Sequence, residues 1–356
     1  MEPRMLANRI LFGLLGACAF ACAGSDAATD AADATDAVDV VDVAAADTPR
    51  DLAGDLPAAD YGDVAPGDPN VLVGSFVVSL VEAVPATTTS QATEAFTQLV
   101  GVVFDGPSPA LTVWTQTASE GACRLLIPSV PFCSVSCGGS AGCVADEVCQ
   151  AYPTARSVGT IVVKGLHTAA GVSEFSLDPV ANGYQTVDAL PFPAFTEGEA
   201  IRVETGGGDY APFVVVSSGI APLVLADGAL ALARDQALAL SWTLPATAGT
   251  STIHVKLDIS HHGGSKGKIE CDTDDDGSLT VAASLVTSLL DLGVAGFPTI
   301  VVARHAVGST TIAPGRVDLE IVSDLEVTVE VPGVTSCNED TDCSDGQTCQ
   351  TDLTCK

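Results

Sequence analysis

Basic residues are scarce in this chain of 356 residues. It has 14 Lys and Arg against 45 Asp and Glu, which gives a formal net charge of -31. Nucleic-acid binders need clustered Lys and Arg for phosphate contacts, so this charge excludes a protein of that class. The hydrophobic fraction of 47% excludes disorder throughout the chain. A chain of this length forms one large or two ordinary domains.

The N-terminal apolar run is too short to cross a bilayer. It covers residues 10–17, after a short basic head with Arg4 and Arg9, whereas a membrane span needs about 20 apolar residues. A run of this size is typical of the core of a signal peptide. We therefore predict an export leader over residues 1–17.

The leader ends in Leu-Gly-Ala-Cys at residues 15–18, which resembles the lipobox of bacterial lipoproteins. The resemblance implies that Cys18 is lipidated and becomes the new N-terminus, and Ala19 implies delivery to the outer membrane. Two alternatives stay open. Cys22 is a second candidate for lipidation, and ordinary cleavage after residue 21 or 23 would leave a soluble exported protein.

Residues 18–69 form a second segment, made largely of Ala, Asp and Val. Asp recurs at every third position from Asp30 to Asp42, a period that gives neither a helix nor a strand a useful apolar face. Twelve Asp from Asp26 to Asp68 stand against one base, Arg50. Repulsion between like charges extends such a chain, so we predict a disordered acidic tether. It is a spacer that lifts the folded part off a membrane or a tail without a selected length. A calcium-binding repeat is a third alternative, but RTX-type repeats need glycine turns at fixed spacing.

Short runs rich in Val, Ile, Thr and Phe begin at Asn70 and predict a mainly β protein. Turn residues separate these runs, which is typical of an antiparallel β-sandwich, either one interrupted sandwich or two packed ones. One short helix is predicted over residues 281–292 from its apolar stripe, with Thr280 as its cap and Gly293 at its end. The predicted strands are residues 72–82, 98–104, 111–117, 160–164, 200–204, 212–217, 238–244, 252–259, 299–303 and 317–331.

Ten cysteines remain after Cys18 and Cys22, and an even number favours disulfides in an exported protein. The spacing of residues 137, 143 and 149 repeats at residues 337, 343 and 349, which indicates two copies of one small module. Four cysteines allow three connectivities. By analogy between the copies we predict four disulfides, and one long-range bond is the simplest completion. The predicted pairs are Cys133–Cys143, Cys137–Cys149, Cys337–Cys349, Cys343–Cys355 and Cys123–Cys271.

Zinc is the alternative use of these cysteines, but their five-residue gaps differ from the usual C-x2-4-C spacing. With the modules defined, the folded part divides into four regions. These are a β-strand region over 70–132, a Cys-rich insert over 133–150, a β-sandwich region over 151–335 and a Cys-rich C-terminal module over 336–356.

The C-terminal module carries a second resemblance. Its stretch Cys337-Asn-Glu-Asp-Thr-Asp-Cys343-Ser-Asp-Gly-Gln-Thr-Cys349 is similar to short Cys-rich repeats in lipoproteins of myxobacteria and related deltaproteobacteria. It is also loosely similar to EGF-like and Dickkopf N-terminal modules. The acidic tether, the stretch that begins Cys123-Arg-Leu-Leu-Ile-Pro and residues 254–267 resemble the same lipoprotein group. The resemblance implies an exported lipoprotein and carries no assigned activity.

Alternate carboxylates at Asp272, Asp274 and Asp276, followed by Gly277, resemble the first half of an EF-hand or dockerin-type calcium loop. These three residues are the predicted metal site, and calcium is the candidate cofactor. Ala283 stands where such a loop has its bidentate Glu. The alternative is an acidic turn that leads into a helix.

Two further motifs favour structural interpretations. The string from Ser260 to Lys268, with His261 and His262, resembles a string in metallo-β-lactamase-like nucleases, but none of the five His forms the H-x-H-x-D-H cluster of that family. A two-histidine metal clip is the alternative to a hairpin turn. Residues 138–142 match G-x-S-x-G around Ser140, but a nucleophile there needs a strand–turn–helix elbow, and this motif lies between two cysteines of one module.

These features predict a surface-exposed, lipid-anchored binding or scaffold protein of the bacterial envelope. Its expected partners are the membrane, through the lipid, and a protein or carbohydrate ligand, because loops on a rigid sandwich commonly carry recognition. No catalytic residue is predicted. The alternatives are an exported hydrolase that acts on glycans and a purely structural envelope protein. Two carboxylates in one cleft, about 5 to 10 Å apart, would favour the hydrolase.

Overall fold

The computed structural model describes residues 68, 70–86, 91–226, 230–344 and 346–356. Cys18, the predicted leader and the predicted tether up to residue 67 lie outside these residues. In the described part, β-strands dominate, one α-helix forms and disulfides link the cysteines, so the predicted fold class is confirmed. Within it, no helix is long and apolar enough to cross a membrane.

The helix α1 spans Ala283–Leu290. The strands are β1 (Leu72–Val81), β2 (Phe96–Phe104), β3 (Val113–Glu120), β4 (Cys123–Ser129), β5 (Ala141–Ala145), β6 (Val148–Ala151), β7 (Ala155–Arg156), β8 (Ile161–Lys164), β9 (Glu174–Leu177), β10 (Gly183–Gln185), β11 (Ala200–Thr205), β12 (Val214–Ser218), β13 (Leu230–Ala231), β14 (Leu238–Ser241), β15 (Thr252–Asp258), β16 (Lys268–Asp274), β17 (Ser278–Val281), β18 (Thr299–Ile312) and β19 (Gly315–Glu330).

Eleven of these strands form one long sheet in the order β10-β2-β1-β19-β18-β15-β16-β4-β3, with β7 beside β2 and β13 beside β19. A second sheet has the order β12-β11-β8-β9, and β14–β17 and β5–β6 form two separate pairs. The pairing is antiparallel except at β19, which pairs in parallel with β1 and with β13. The chain therefore returns after more than 200 residues to lay β19 beside its first strand.

The hairpin of β18 and β19 spans two hydrophobic cores. One half of it, with residues such as Ala306 and Leu319, packs with β1, β2 and the four-stranded sheet. The other half, with residues such as Ile300 and Val329, packs with α1, β15, β16 and the β14–β17 pair. The long sheet is therefore continuous but carries two hydrophobic cores, so the structure combines features of the two alternatives, one interrupted sandwich and two packed ones.

Buried polar groups lie on the inner face of the hairpin between the two cores. Arg304 of β18 pairs in register with Ser323 of β19, and neither residue is exposed to solvent. Arg304 Nε donates to Asp275 Oδ2 over 2.6 Å, and its other nitrogens donate to the carbonyls of Pro222 and Thr243 over 2.9 and 2.6 Å. Buried polar groups stabilise a fold when all are hydrogen-bonded, so this network fixes the chain that crosses between the cores.

The helix is shorter than predicted, and its predicted cap is wrong. Its N-cap is Ala282, which makes no side-chain cap bond, because Thr280 belongs to β17. Gly293 lies beyond the C-cap Asp291, in a left-handed conformation with a φ of 88°. The helix buries Leu285, Val286, Leu289 and Leu290 in the second core.

Five disulfides join the ten cysteines from Cys123 onward, and the partners are those proposed from the sequence. Cys123–Cys271 connects β4 and β16, whose residues stand opposite each other in register. Two bonds close the insert around the β5–β6 hairpin, and two close the C-terminal module. The sulfur atoms of these ten cysteines are therefore bonded to one another in pairs.

Candidate functional site

The outward face of the long sheet carries a group of charged and polar side chains, which we call the polar face. Its members alternate with core residues, because successive side chains of a strand point to opposite faces. In β15, for example, Ile253, Val255 and Leu257 are buried, whereas the residues between them are partly exposed. The polar face comprises Arg124, Thr252, His254, Lys256, Lys268, Glu270, Asp272, Asp274, His305 and Glu320.

One end of the polar face is a cluster of ion pairs around Glu270. Arg124 Nη2 lies 3.1 Å from Glu270 Oε2 and 3.1 Å from Asp272 Oδ2, and Lys268 Nζ lies 2.5 Å from Glu270 Oε1. Partial burial raises the pKa of Glu270, but the hydrogen bonds from Lys268 and Arg124 outweigh it and hold this pKa below its ordinary value. Lys268 also lies 4.0 Å above the ring of Trp114, a cation–π contact.

The other end of the polar face is an open cleft of about 410 Å³. It is lined by Thr252, Ile253, Asp272, Thr273, Asp274 and His305. Each of two histidines at this end is held through Nδ1 by a carboxylate. His254 Nδ1 lies 2.7 Å from Asp272 Oδ1, and His305 Nδ1 lies 3.2 Å from Glu320 Oε1. The carboxylates orient these rings and leave Nε2 as the nitrogen for a ligand.

The cleft offers carboxylate, hydroxyl and imidazole groups on rigid strands. Carboxylates accept hydrogen bonds from hydroxyl or ammonium groups, and the Thr252 hydroxyl and an imidazole can donate or accept. The cations of Arg124 and Lys256 lie on the same face. This arrangement suits a polar ligand rich in hydroxyl groups, bound at the surface rather than enclosed.

The structure brings together only part of the predicted metal site. Asp272 and Asp274 line the cleft, and Asp276 lies beyond β16 in the turn before β17. Asp272 already interacts with His254 and Arg124. Within the described ranges, the only groups that bring three metal-ligand atoms within 4.8 Å of one another consist of cysteines, and these are disulfide-bonded. Calcium binding at the three aspartates stays a prediction.

Asp275 is the residue of this segment that the sequence analysis missed. Its side chain is 1% exposed and binds Arg304, Ser251 Oγ over 2.6 Å and Trp242 Nε1 over 2.7 Å. Burial raises the pKa of Asp275, but these hydrogen bonds outweigh it and hold the pKa below its ordinary value. The available signal was the alternation of side chains along β16 continued one residue past its end, since it turns Asp275 away from its two neighbours.

The other two motifs have structural surroundings. His261 and His262 lie in the loop of the β15–β16 hairpin, where their rings are 3.9 Å apart and His261 Nε2 is 3.8 Å from Glu326. Ser140 directly precedes β5 in the disulfide-linked insert, and its carbonyl accepts a hydrogen bond from Tyr152 N over 2.9 Å. The chain continues from Ser140 into a β-hairpin, so the strand–turn–helix elbow of a nucleophile is missing at this residue.

Comparison with known proteins identifies no family for this chain, because no family model and no curated protein matches it. Among solved structures, the FN1–FN3 domains of chicken CNTN1 match 74% of this chain and 99% of their own length, with 7% identity and a TM-score of 0.19. Trypsin-activated alpha-2-macroglobulin from Escherichia coli matches 77% of this chain, with 10% identity and a TM-score of 0.18. This chain spans 17% of the length of the second protein.

Proposed function

We propose that this chain is an exported, lipid-anchored binding protein of the bacterial envelope. The observation that carries the proposal is the pairing of all ten cysteines from Cys123 onward in five disulfides. Disulfides form and persist in oxidising compartments and are rare in the cytosol. The basic head, the short apolar run and the lipobox-like Leu-Gly-Ala-Cys at residues 15–18 support the same location.

The proposed anchor is an acyl group on Cys18. Each buried CH₂ contributes about 0.8 kcal/mol, and more than one chain is needed for stable attachment. Between this anchor and the first strand lies the acidic segment that we propose as the tether. Its repelling carboxylates would hold the folded part away from the membrane.

The polar face is the proposed ligand site. Its cleft groups project from three neighbouring strands, β15, β16 and β18, and strands position side chains more precisely than loops do. The ion pairs of Arg124 and the contacts of the two histidines keep the side chains ordered without a ligand. We propose a carbohydrate as the ligand class, because hydroxyl groups match the carboxylates and imidazoles of the cleft.

Fractionation of cells that produce Cys18→Ser tests export and anchoring together. We expect the unaltered chain in the membrane fraction and the variant in the soluble exported fraction. Cys22→Ser is the matched control and should stay with the membrane. Membrane retention of Cys18→Ser would contradict the anchor at this residue, and reduced thiols in a cytosolic protein would contradict export.

A hydrolase that acts on glycans is the second candidate. It is favoured by Asp272 and Asp274, which line one cleft and stand two residues apart on a strand, so that their Cα atoms are about 7 Å apart. This backbone spacing is compatible with the separation of about 5 to 10 Å between paired glycosidase carboxyl groups. A polysaccharide panel distinguishes the two functions. Binding without products, abolished by Asp274→Asn and kept by the exposed control Asp188→Asn, supports the binding protein, whereas release of sugars supports the hydrolase.

A further inference from the structure

We propose that the free edge of the long sheet at β3 joins this chain to a second copy of itself, through antiparallel pairing of the two β3 strands. β3 is the last strand in the order of the long sheet and pairs with β4 on one side. Within the described residues no strand lies on its other side. Seven of its eight residues are exposed, so both of its faces are open to solvent.

An open edge presents unpaired backbone N–H and C=O groups that can pair with another strand. Native proteins protect such edges with charged residues, Pro or bulges. In β3 the register shift between Gln116 and Ala118 protects the second half, and Glu120 stands at its end. The first half, from Val113 to Gln116, has none of these devices and is free to pair.

Apolar side chains extend from this edge onto the disulfide-linked insert. The insert packs against the segment that leads into β3, because Gln150 Nε2 donates to Pro107 O over 2.9 Å and Gly142 lies against the side chain of Leu111. Phe132 is 69% exposed and Val135 is 76% exposed. The exposed apolar residues of this surface, which we call the neutral arm, are Leu111, Val113, Trp114, Val130, Phe132, Val135, Val148 and Tyr152. A contiguous exposed surface of this kind marks an interaction site.

The distribution of charge indicates which partner binds at the neutral arm. Residues 106–152 contain three acids, Glu120, Asp146 and Glu147, and one base, Arg124, in a chain with a net charge of -31. Arg124 pairs with Glu270 and Asp272, and Glu120 accepts a hydrogen bond from Ser284. The carboxylates of Asp146 and Glu147 accept backbone hydrogen bonds at residues 132 and 134. Because this surface carries little net charge, two copies of the acidic chain repel each other least when their arms are in contact.

A basic partner would instead bind the acidic remainder of the surface, and a lipid surface would leave the backbone groups of the open edge unpaired. A second copy matches both the apolar surface and the open edge, since it provides an apolar surface of low charge and an equally open strand. Two-fold antiparallel pairing centred on Thr115 sets Thr115 opposite its own copy and Trp114 opposite Gln116, the two residues whose backbone groups face away from β4. Glu120 then lies beyond the paired stretch, so no like charges stand opposite each other. Such a contact is isologous, as in most homodimers.

Sedimentation velocity of the full-length chain carrying Cys18→Ser tests this proposal without a lipid. We expect a dimer at micromolar concentration. Phe132→Lys and Val130→Lys should weaken association at least tenfold, a change of about 1.4 kcal/mol or more, because each dimer then buries two unpaired charges. Val187→Lys, at a residue that is 93% exposed and outside the arm, should leave the dimer unchanged.

Gln116→Pro adds a test of the backbone pairing, since the N–H of Gln116 faces away from β4 and proline removes this donor from the strand edge. Its circular dichroism spectrum establishes that it folds, and the lysine variants provide the test if it does not. A monomeric unaltered chain would overturn the proposal, and so would a dimer that the lysine variants leave intact. A monomer that binds neutral phosphatidylcholine vesicles through Phe132 would instead assign the arm to a membrane.

Discussion

The buried pair of Asp275 and Arg304 shows how much of this fold depends on single residues. Arg304 is the largest fully buried side chain of the described residues, and the carboxylate of Asp275 forms an ion pair with it. We expect Asp275→Asn to lower the free energy of unfolding by about 3 to 5 kcal/mol, because it leaves a buried guanidinium without its countercharge. Urea denaturation measures this change. Asp274→Asn, at the exposed neighbour, should change it by less than about 0.5 kcal/mol.

The same carboxyl group gives stability a pH dependence. The pKa of Asp275 is lower in the folded chain than its ordinary value of 3.8. The unfolded state therefore takes up a proton first as the pH falls, so the contribution of Asp275 is complete above pH about 4 and is lost as the pH falls through its folded pKa. Asp275→Asn should flatten the loss of stability below that pH. Parallel acid-unfolding curves of the two proteins would contradict the assigned role.

Calcium binding is a second prediction at the residue scale. Arg124 and His254 already hold Asp272, and Ala283 occupies the position of the bidentate ligand. We therefore expect calcium to bind weakly, with a dissociation constant of about 10⁻⁴ to 10⁻³ M, as in extracellular modules. Calorimetric titration of the unaltered chain, Asp274→Asn and the control Asp188→Asn tests this. Micromolar affinity, or binding that Asp274→Asn leaves unchanged, would contradict it.

At the scale of elements, local patterns in the sequence predicted more than long-range pairing. The alternation at residues 253–259 predicted β15 almost to the residue, because it records which side chains are buried. β18 is much longer than its predicted 299–303, because Gly308, Ser309 and Thr310 give no apolar signal although they pair with β19. The parallel partner of β1 had no local signal at all, since β19 lies far along the chain.

The candidate site, like the strands, was predictable from the sequence only in part. The acidic run indicated a site around Asp272 and Asp274, and both residues line the cleft. Their neighbours were not predictable, because His305 comes from a strand distant in sequence and meets them only through the register of β15 with β16 and β18. Arg304, the partner of Asp275, was not predictable for the same reason. Spacing identifies groups within one segment, whereas register decides which segments meet.

The contact between β12 and β18 provides a prediction at this scale. A Cβ added at Gly308 would overlap the carbonyl oxygen of Val216, and Ser217 Oγ next to it donates to Ala306 O over 3.0 Å. Gly308→Ala should therefore push the four-stranded sheet away from the long sheet and cost about 1 to 3 kcal/mol. Scanning calorimetry should show a lower Tm. Gly106→Ala is the control, since nothing lies within 4 Å of its added Cβ, and an equal shift in both variants would contradict this account.

At the scale of the whole molecule, covalent and noncovalent constraints act on different parts. The two cores share the β18–β19 hairpin, and Cys123–Cys271 ties the β3–β4 end of the same sheet to β16. The C-terminal module attaches to the second core through few hydrogen bonds, such as Ser336 Oγ to Gly296 O over 2.6 Å. Its own disulfides replace the hydrophobic core that so small a unit lacks.

This division predicts different effects for different disulfides. Cys123 and Cys271 are separated by 148 residues, and a loop of that size constrains the unfolded chain by about 4 to 5 kcal/mol in the loop-entropy treatment. Replacing both by Ala should therefore lower the Tm of the whole transition. Replacing Cys343 and Cys355, only 12 residues apart, should leave that Tm nearly unchanged and speed hydrogen exchange within residues 336–356 alone. Equal shifts of the main transition in the two double variants would show that the module unfolds together with the cores.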